Sequence, residues 1–396
     1  MNWREIRLKQ EESLSPLATR SSESLGRLRF EPECKVRSVF ERDANRILYS
    51  EDFRRLRHKT QVFFNAKNDH VCTRMEHVLY VNSISTTICR TLGLNQDLTS
   101  AIALGHDIGH SPFGHSGERK LNECLQKVNP DLSFRHEYHS LRVVDRLSTR
   151  ISHEKILAKC GLNLTYEVRD GIVSHCGENY DEYILHPDKT KDPAEIYTAD
   201  HRHMMPYTLE GCVVRLVDKI AYVGRDIEDA IRAKMMDYSE IPSEVRATLG
   251  YTNGQIINTL VEDLLDNSYG RNEVRLSDER GQALQELILV NNRKIYRAEM
   301  IARYEANTKN MVEGLFEELY RRISEIIGLT GEKTNKDGAF DFSKIQPKDQ
   351  TDRRLIDYMV EKGYCPGELP EQITADYIAG MTDGYAVSMF EDLYWV

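Results

Sequence analysis

The feature that most constrains the fold is a helical spacing of apolar residues that recurs along nearly the whole chain. Residues 209–234 give the longest early example, with apolar side chains returning every three to four positions. Patterns typical of strands are weak, and no internal repeat is evident. We therefore predict an all-α fold, in which a helical core continues into a helical C-terminal extension.

Local signals set the boundaries of several of these helices. Thr73 and Glu76 have the spacing of a capping box, Gly93 is suited to a helix C-terminus, and Asn95 is suited to cap the next helix. Gly109 and Pro112 should interrupt the helical pattern, and 328–350 is polar and turn-rich, which predicts a long loop or hairpin. The predicted helices are 37–56, 73–93, 95–107, one through Glu118 and Leu125, 136–147, 167–174, 209–234, 282–304, 310–327, 352–362 and 373–393.

The composition is that of a globular protein, with 40% hydrophobic and 29% charged residues in 396. No apolar run approaches the roughly 20 residues that span a bilayer, so we expect no membrane partner. The first residues are charged throughout, which predicts no secretory signal. The eight cysteines are scattered without a CxxC pair, so we expect reduced thiols and a cytoplasmic location.

The charge is unevenly distributed along the chain. The formal net charge of -10 argues against general binding of nucleic acid, although residues 20–61 carry more basic than acidic side chains. Two interpretations of this basic region stay open: a solvated helix face, or a local funnel for a small polyanion.

The densest group of chemically active residues is the stretch LGHDIGHSPFGH, residues 104–115, with three histidines, an aspartate and three glycines. His106 and Asp107 offer a nitrogen and an oxygen ligand at one point, which suits a divalent cation of intermediate hardness. His77 lies on the preceding helix. Asp218 lies among apolar residues of the long helix, where a buried carboxylate needs a partner. Taken singly, each of these residues could instead be structural.

The order His77 … His106-Asp107 … Asp218 resembles the signature of HD-domain metal-dependent phosphohydrolases. A closer resemblance is to the deoxyguanosinetriphosphate triphosphohydrolase (dNTPase) family, through segments that occur in the family's order and span most of the chain. These segments are FRRLRHKTQVF, TRMEHVLYV, LGHDIGHSPFGHSGE, HEYHSLRVVDRL, LVDKIAYVGRDIEDA and DYIAGMTDGYA. The resemblance implies an HD-domain core over 61–235, an N-terminal helical segment over 1–60 that contributes to the active site, and a helical region over 236–396 packed on the same body.

The resemblance also implies the reaction. A deoxynucleoside 5′-triphosphate, dGTP or a broader set, would be hydrolysed to a deoxynucleoside and inorganic triphosphate by attack of water on the α-phosphorus. The implied cofactor is a divalent ion held by His77, His106, Asp107 and Asp218. Mn, Mg, Fe, Co, Ni and Zn are all candidates, because the ligand set does not fix the metal and availability decides.

Roles for further residues follow from the same resemblance. His115 would be the general acid, oriented by Glu118, while His110 and His136 would contact the phosphates. Asp218, Tyr222 and Asp226 are spaced by four, so they share one face of a helix. The implied substrate contacts are Arg74 and Lys219 with phosphate, Gln61 and Tyr222 around the sugar, Asp226 with the 3′-hydroxyl, and Arg293 and Tyr296 as a further phosphate and sugar contact.

Two other functions stay open at this point. Another HD phosphohydrolase, such as a 5′-deoxynucleotidase or a phosphodiesterase, would use the same four ligands. A non-catalytic module that binds nucleotide or nucleic acid would keep only the fold. The expected partners are a dNTP substrate, a nucleotide activator and further copies of the chain in a homo-oligomer. Accessory nucleic-acid binding also stays open because of the basic N-terminal region, although the net charge does not indicate it.

Overall fold

The chain folds almost entirely into helices. A computed structural model describes residues 3–60, 72–151, 156–157, 161–176, 182–198, 200–201, 204–331 and 333–395. Within these ranges the α-helices are α1 Trp3–Glu11, α2 Val39–Leu48, α3 Glu51–Arg55, α4 Arg74–Leu92, α5 Gln96–Gly105, α6 Gly114–Val128, α7 His136–Arg142, α8 Tyr166–Val173, α9 Leu209–Arg232, α10 Ser243–Leu249, α11 Asn253–Ser268, α12 Asp278–Asn291, α13 Glu299–Thr330, α14 Gln350–Lys362, α15 Pro370–Ala379 and α16 Asp383–Tyr394. The predicted all-α class is confirmed.

The described strands are only two residues long and form two antiparallel pairs. They are β1 Arg150–Ile151 with β2 Ile156–Leu157, and β3 Ile184–Leu185 with β4 Val274–Arg275. In the second pair Ile184 lies opposite Arg275, and Leu185 lies opposite Val274. Short pairs of this kind join loops and do not form a layer of the core.

The centre of the molecule is α5, which packs against α2, α4, α8 and α9. Leu98, Ala101 and Ile102 of α5 are fully buried. A helix that is apolar on all sides is stable only inside a core, because no face of it gains from contact with water. Since α5 ends at Gly105, the core places His106 and Asp107 beside the packed helices α4 and α9.

The predicted caps of α4 and α5 are confirmed. Thr73 and Glu76 form a reciprocal capping box, in which the Glu76 carboxylate accepts from the Thr73 backbone N–H at 2.7 Å. Gly93 ends α4 in the left-handed conformation, at φ 70°. The Asn95 side chain accepts from the backbone N–H groups of Asp97 and Leu98. These caps fix where His77 and His106 lie along their helices.

Several predicted helices are interrupted or were missed. The helix predicted over 37–56 breaks after Leu48, because the Ser50 hydroxyl caps a new helix by accepting from Phe53 N. The helix predicted over 282–304 is broken by a π-helical turn at Asn292–Tyr296, and 373–393 divides into α15 and α16. Helices α10 and α11 were not predicted. His106 and His110 do not share a helix face, because α5 ends before His106.

The C-terminal helices pack against the part of the chain that follows the histidine-rich stretch. Helix α13 packs against α6 and α15. The expected loop after α13 contains one isolated antiparallel bridge, between Thr334 and Phe340. The division of the chain at residues 60 and 235 stays a prediction.

Several basic side chains of the N-terminal region pair with nearby acids. Arg27 pairs with Asp43 at 2.5 Å, while Arg42 and Arg46 both pair with Glu31. These partly buried pairs hold the N-terminal loop against α2. For these three arginines the contacts favour a structural interpretation over a funnel for polyanions.

Candidate metal centre and substrate cavity

The structure brings the four predicted ligands together from α4, α9 and the turn that follows α5. The His77 Nε2 atom on α4 lies 2.8 Å from Asp218 Oδ1 on α9 and 4.0 Å from Asp107 Oδ2. The His106 Nε2 atom, just beyond α5, lies 3.7 Å from Asp107 Oδ1 and 3.8 Å from Asp218 Oδ1. Two imidazoles and two carboxylates therefore surround one small volume.

The chemistry of these atoms fits a bound cation. His106 is fully buried, and its Nδ1 lies 2.7 Å from the Ala103 carbonyl, which can only accept, so Nδ1 must donate. In the neutral ring the Nε2 atom then carries the lone pair, and this atom has no hydrogen-bond partner among the described residues. An Nδ1–H anchored on a carbonyl with a bare Nε2 is the usual arrangement of a metal-ligating histidine.

The two carboxylates stay ionised despite their burial. Burial raises the pKa of Asp218, but the hydrogen bond and charge of His77 outweigh it and bring the pKa to about 2. Burial also raises the pKa of Asp107, but the charges of His106, His110 and Arg74 outweigh it and hold that pKa well below its usual range. The Arg74 guanidinium contributes directly, since Nη1 lies 2.5 Å from Asp107 Oδ2.

The loop that carries these ligands is held by α7. The Ser140 hydroxyl accepts from Gly109 N at 2.9 Å and donates to the His106 carbonyl at 2.7 Å. The backbones approach so closely that a Cβ on Gly109 would lie 2.1 Å from Ser140 N. Any residue other than glycine at position 109 would push α7 away from the ligands.

A second anchor comes from the C-terminal helices. The Asp383 carboxylate at the start of α16 accepts from Phe113 N at 2.9 Å and from Thr60 N at 3.0 Å. Phe113 has a positive φ of 64°, which costs a non-glycine residue roughly 1–2 kcal/mol. Lys59 donates from Nζ to the carbonyls of His110 and Ala379. The segment DYIAGMTD thus holds the histidine-rich loop in shape.

Beside the metal-ligand cluster lies a second group of histidines. The rings of His110 and His136 stack at 3.8 Å between centroids. The Glu118 carboxylate accepts from His136 N at 2.8 Å and faces His136 Nδ1 at 3.0 Å. We expected Glu118 to orient His115, but its hydrogen bonds go to His136 because that residue begins α7 beside α6. The His115 side chain is exposed and lines the cavity.

Two residues of this region were missed from the sequence, His175 and Cys176. They follow α8, and their side chains line the same cavity as the predicted ligands. The His175 ring lies 4.9 Å from that of His106. The adjacent His–Cys pair directly after α8 was the available signal, but no spacing rule connects it to the other histidines.

A cavity of about 770 Å³ joins both groups to the residues predicted to contact substrate. Its walls contain Arg74, Lys219, Tyr222, Asp226 and Tyr296. The Tyr296 hydroxyl donates to Asp226 Oδ2, and burial raises the pKa of Asp226 to about 7. Five of the predicted substrate contacts therefore lie around one cavity.

Of the remaining two predicted contacts, Arg293 does not line the cavity. Arg293 is exposed, and its guanidinium pairs with Glu286 at 2.8 Å on the surface. The arginine of this segment that lines the cavity is Arg297. A π-helical turn at Asn292–Tyr296 lies between α12 and Arg297. Gln61 lies outside the described residues.

Comparison with known proteins places this site in a family. The model of the HD domain matches residues 74–223, the segment that contains all four predicted ligands. A deoxyguanosinetriphosphate triphosphohydrolase-like protein of Caldanaerobacter subterraneus is 38% identical over 96% of this chain and 92% of its own length. The chain belongs to this family. Relatives of the same name from Desulfatibacillum aliphaticivorans and Clostridium tetani are 40% and 33% identical, over 77% and 96% of the chain and 80% and 93% of their own lengths.

Membership of the triphosphohydrolase-like HD family makes the protein a metal-dependent phosphohydrolase. Among the described helices, none is both long and apolar enough to cross a membrane. The cysteines that the structure describes are all free thiols, as expected from their spacing.

Proposed function

We propose that the protein hydrolyses deoxynucleoside 5′-triphosphates to a deoxynucleoside and inorganic triphosphate. The observation that carries the proposal is the single cavity that runs from the His–Asp cluster to the Asp226–Tyr296 pair. The metal ligands and the cations Arg74 and Lys219 would meet the phosphates of a nucleotide. The aromatic Tyr222 and the carboxyl group of Asp226 would meet its sugar. The names of the relatives support the same substrate class.

The divalent ion would be held by His77, His106, Asp107 and Asp218. Their mixed nitrogen and oxygen set accommodates Mn, Mg, Fe, Co, Ni or Zn. When bound, the ion would supply Lewis-acid stabilisation of the phosphate and lower the pKa of a water molecule. The protein's part is to keep both carboxylates ionised, which the contacts of Asp218 with His77 and of Asp107 with Arg74 achieve.

Two cations are positioned to bind the triphosphate. Arg74 is almost fully buried, and its contact with Asp107 places the guanidinium next to the metal ligands. Lys219 follows Asp218 on α9, and its Nζ donates to the Glu182 carbonyl at 3.4 Å. A planar guanidinium binds phosphate oxygens in pairs, whereas an ammonium acts as a point charge. His110 and His136 lie on the same side of the cavity and would contact the same phosphates.

The departing 5′-oxygen needs a proton, and His115 is the donor that we propose. Among His110, His115 and His136, His115 is the exposed residue, and it lines the cavity where a substrate oxygen can reach it. Glu118 would act through His136, whose ring packs on His110, and so fix the surroundings of His115. A positioned acid of this kind typically contributes about 10²–10⁴-fold to the rate.

The sugar would bind between Tyr222 and the Asp226–Tyr296 pair. Asp226 lies two helical turns beyond Asp218 on α9, so a 3′-hydroxyl can reach it while the α-phosphate lies at the ion. Tyr222 lies between them and can pack against the sugar ring. Assembly into a homo-oligomer, activation by a nucleotide and a cytoplasmic location stay predictions of the resemblance.

Identification of the phosphorus product tests the proposal. Purified full-length protein is incubated with each dNTP and a divalent metal, and the products are followed by phosphorus NMR. Tripolyphosphate is the expected product. Pyrophosphate or orthophosphate would favour another HD phosphohydrolase. An absence of turnover with every dNTP, metal and added nucleotide would favour a non-catalytic binding module.

A further inference from the structure

The histidine-rich loop has a buried contact with α15 that the proposed reaction does not use. The Gly109 carbonyl lies 2.8 Å from His139 Nδ1, and because a carbonyl can only accept, Nδ1 donates. The Nε2 atom of the same ring lies 3.5 Å from Asp376 Oδ1 on α15. His139 is 4% exposed, so its ring is an internal bridge between the loop and α15.

Lys59 forms a second bridge beside the first. Its Nζ atom donates to the His110 carbonyl and, at 2.7 Å, to the Ala379 carbonyl of α15. Burial lowers the pKa of Lys59 well below its ordinary value, but even a neutral amine keeps the two N–H groups that these carbonyls need. Since Asp376 and Ala379 are three residues apart, both bridges reach one face of α15.

The α15 end of the His139 bridge is held in place from several sides. Asp376 is 1% exposed, and its carboxylate accepts from Arg142 Nε at 2.8 Å and from Arg142 Nη2 at 2.6 Å. The Tyr364 hydroxyl and the Gln372 amide each donate to it at 2.9 Å. Burial raises the pKa of Asp376, but the charge of Arg142 outweighs it and holds that pKa below its usual range. An ionised carboxylate with this many partners is a rigid support for the His139 ring.

The other end of the bridge lies next to the predicted metal ligands. Gly109 closely follows Asp107 in the chain, and its N–H donates to the Ser140 hydroxyl, which donates in turn to the His106 carbonyl. Ser140 is the neighbour of His139 on α7. A displacement of the His139 ring would therefore move the backbone that carries His106 and Asp107.

We propose that His139 is a positioning residue of the metal centre, which transmits the position of α15 to His106 and Asp107 through the Gly109 carbonyl. Lys59 supports the same loop at the next carbonyl. The inference rests on the metal site proposed above and not on which nucleotide the protein hydrolyses. Partners behind metal ligands typically contribute about 10–100-fold to metal affinity or activity. We expect the lower end of that range, because His139 contacts the backbone of the loop and not a ligand side chain.

Cobalt binding without nucleotide tests the role of His139. Full-length protein is stripped of metal and titrated with Co²⁺; competition with a chelator gives the affinity, and visible absorption reports the geometry of the ligands. His139→Leu should bind cobalt about 10-fold more weakly and with altered visible bands. His139→Asn should restore both, because its amide can donate to the Gly109 carbonyl from the place of Nδ1. Unchanged cobalt affinity and bands in His139→Leu, folded by circular dichroism, would overturn the proposal.

Two variants on α15 separate positioning from general stability. Asp376→Ala removes the support of the His139 ring. Glu371→Ala is the matched control, because it removes a buried carboxylate of the same helix that accepts from Asn129 at 2.9 Å, just after α6. Both should unfold at lower urea concentration, but only Asp376→Ala should weaken cobalt binding. Equal weakening in both would refute the positioning role. If the unaltered protein bound no cobalt, the metal site itself would fail, and this inference with it. Since no nucleotide is present, a protein inactive on dNTPs can still pass this test.

Discussion

Asp218 and Asp226 lie two turns apart on α9 and face the same cavity, yet their carboxyl groups behave in opposite ways. Burial raises the pKa of both. For Asp218 the hydrogen bond and charge of His77 reverse that effect and bring the pKa to about 2. For Asp226 the hydrogen bond from the Tyr296 hydroxyl is too weak to do so, and the pKa is about 7. We call these two regions the metal side and the sugar side of the cavity.

The difference shows how one helix can serve two chemistries. On the metal side, anions are buried with cationic partners, as a divalent ion requires. On the sugar side, a carboxyl group has a neutral hydroxyl as partner, which suits recognition of another hydroxyl and not of a metal. The distinction comes from the partner residue. His77 on α4 contacts Asp218, and Tyr296 in the turn after α12 contacts Asp226.

The largest expected effect on activity comes from removing a carboxylate from the metal side. Asp218→Ala should lose bound metal and reduce hydrolysis below detection, because His77 and the ion both lose their carboxylate partner. Metal content by mass spectrometry and turnover by product analysis are the measurements. Glu228→Ala, also on α9 but outside the cavity lining, is the control and should retain both. A fully metallated and active Asp218→Ala protein would contradict the assignment.

The next effect concerns the proton donor between the two sides. His115→Ala should keep its metal and lose about 10²–10⁴-fold in kcat, the usual contribution of a general acid. Metal analysis and steady-state kinetics on the same preparation make the comparison. If the variant turned over at the normal rate, His115 would have no role as acid.

The conformation of the histidine-rich loop should depend on its hydrogen bonds to the C-terminal helices. Asp383→Ala removes the acceptor for Phe113 N and Thr60 N, and hydrogen bonds to a charged group contribute about 1.5–3 kcal/mol. We expect a loss of about that size in the free energy of unfolding, measured by urea denaturation, together with weaker metal binding. Asp392→Ala on the exposed end of α16 is the matched control. Equal stability of the two variants would rule out the anchoring role.

The sugar side predicts a pH dependence of stability. Because the folded-state pKa of Asp226 is raised to about 7, its favourable contribution is complete below the unfolded pKa near 4 and is lost as the pH rises through 7. Asp226→Asn should therefore gain stability relative to the unaltered protein between about pH 5 and about pH 8, by about 1.4 kcal/mol per pKa unit. Urea denaturation at both pH values measures it. A constant difference between the two proteins would show that Asp226 titrates normally.

The smallest effect is expected just outside the sugar side. Arg293→Ala should change stability by no more than about 0.5 kcal/mol, as is usual for exposed substitutions, and should leave KM unchanged. Arg297→Ala, four residues further on and in the cavity lining, is the comparison and should raise KM. A raised KM in Arg293→Ala alone would restore the residue as a substrate contact.

Much of the metal side could be predicted because its signals are local. The capping box at Thr73, the cap at Asn95 and the turn at Gly93 set the ends of α4 and α5, and these place His77 and His106. The sugar side was harder to predict, because the π-helical turn at Asn292–Tyr296 changes which residues share a face. No propensity in the sequence marks that turn. The hydrogen bonds of Glu118 to His136 could not be predicted from the sequence, because His136 belongs to another helix.

The sequence by itself determined the helical class, the ends of the helices around the ligands, and the residue types available for a cation. These depend on hydrogen bonds and apolar spacing within a few residues. Only the tertiary structure brought His175 and Cys176 to His136, set Asp383 against the histidine-rich loop, and gave Asp218 and Asp226 different partners. Those contacts join residues far apart in the chain, and their energies come from burial and charge, which no local pattern records.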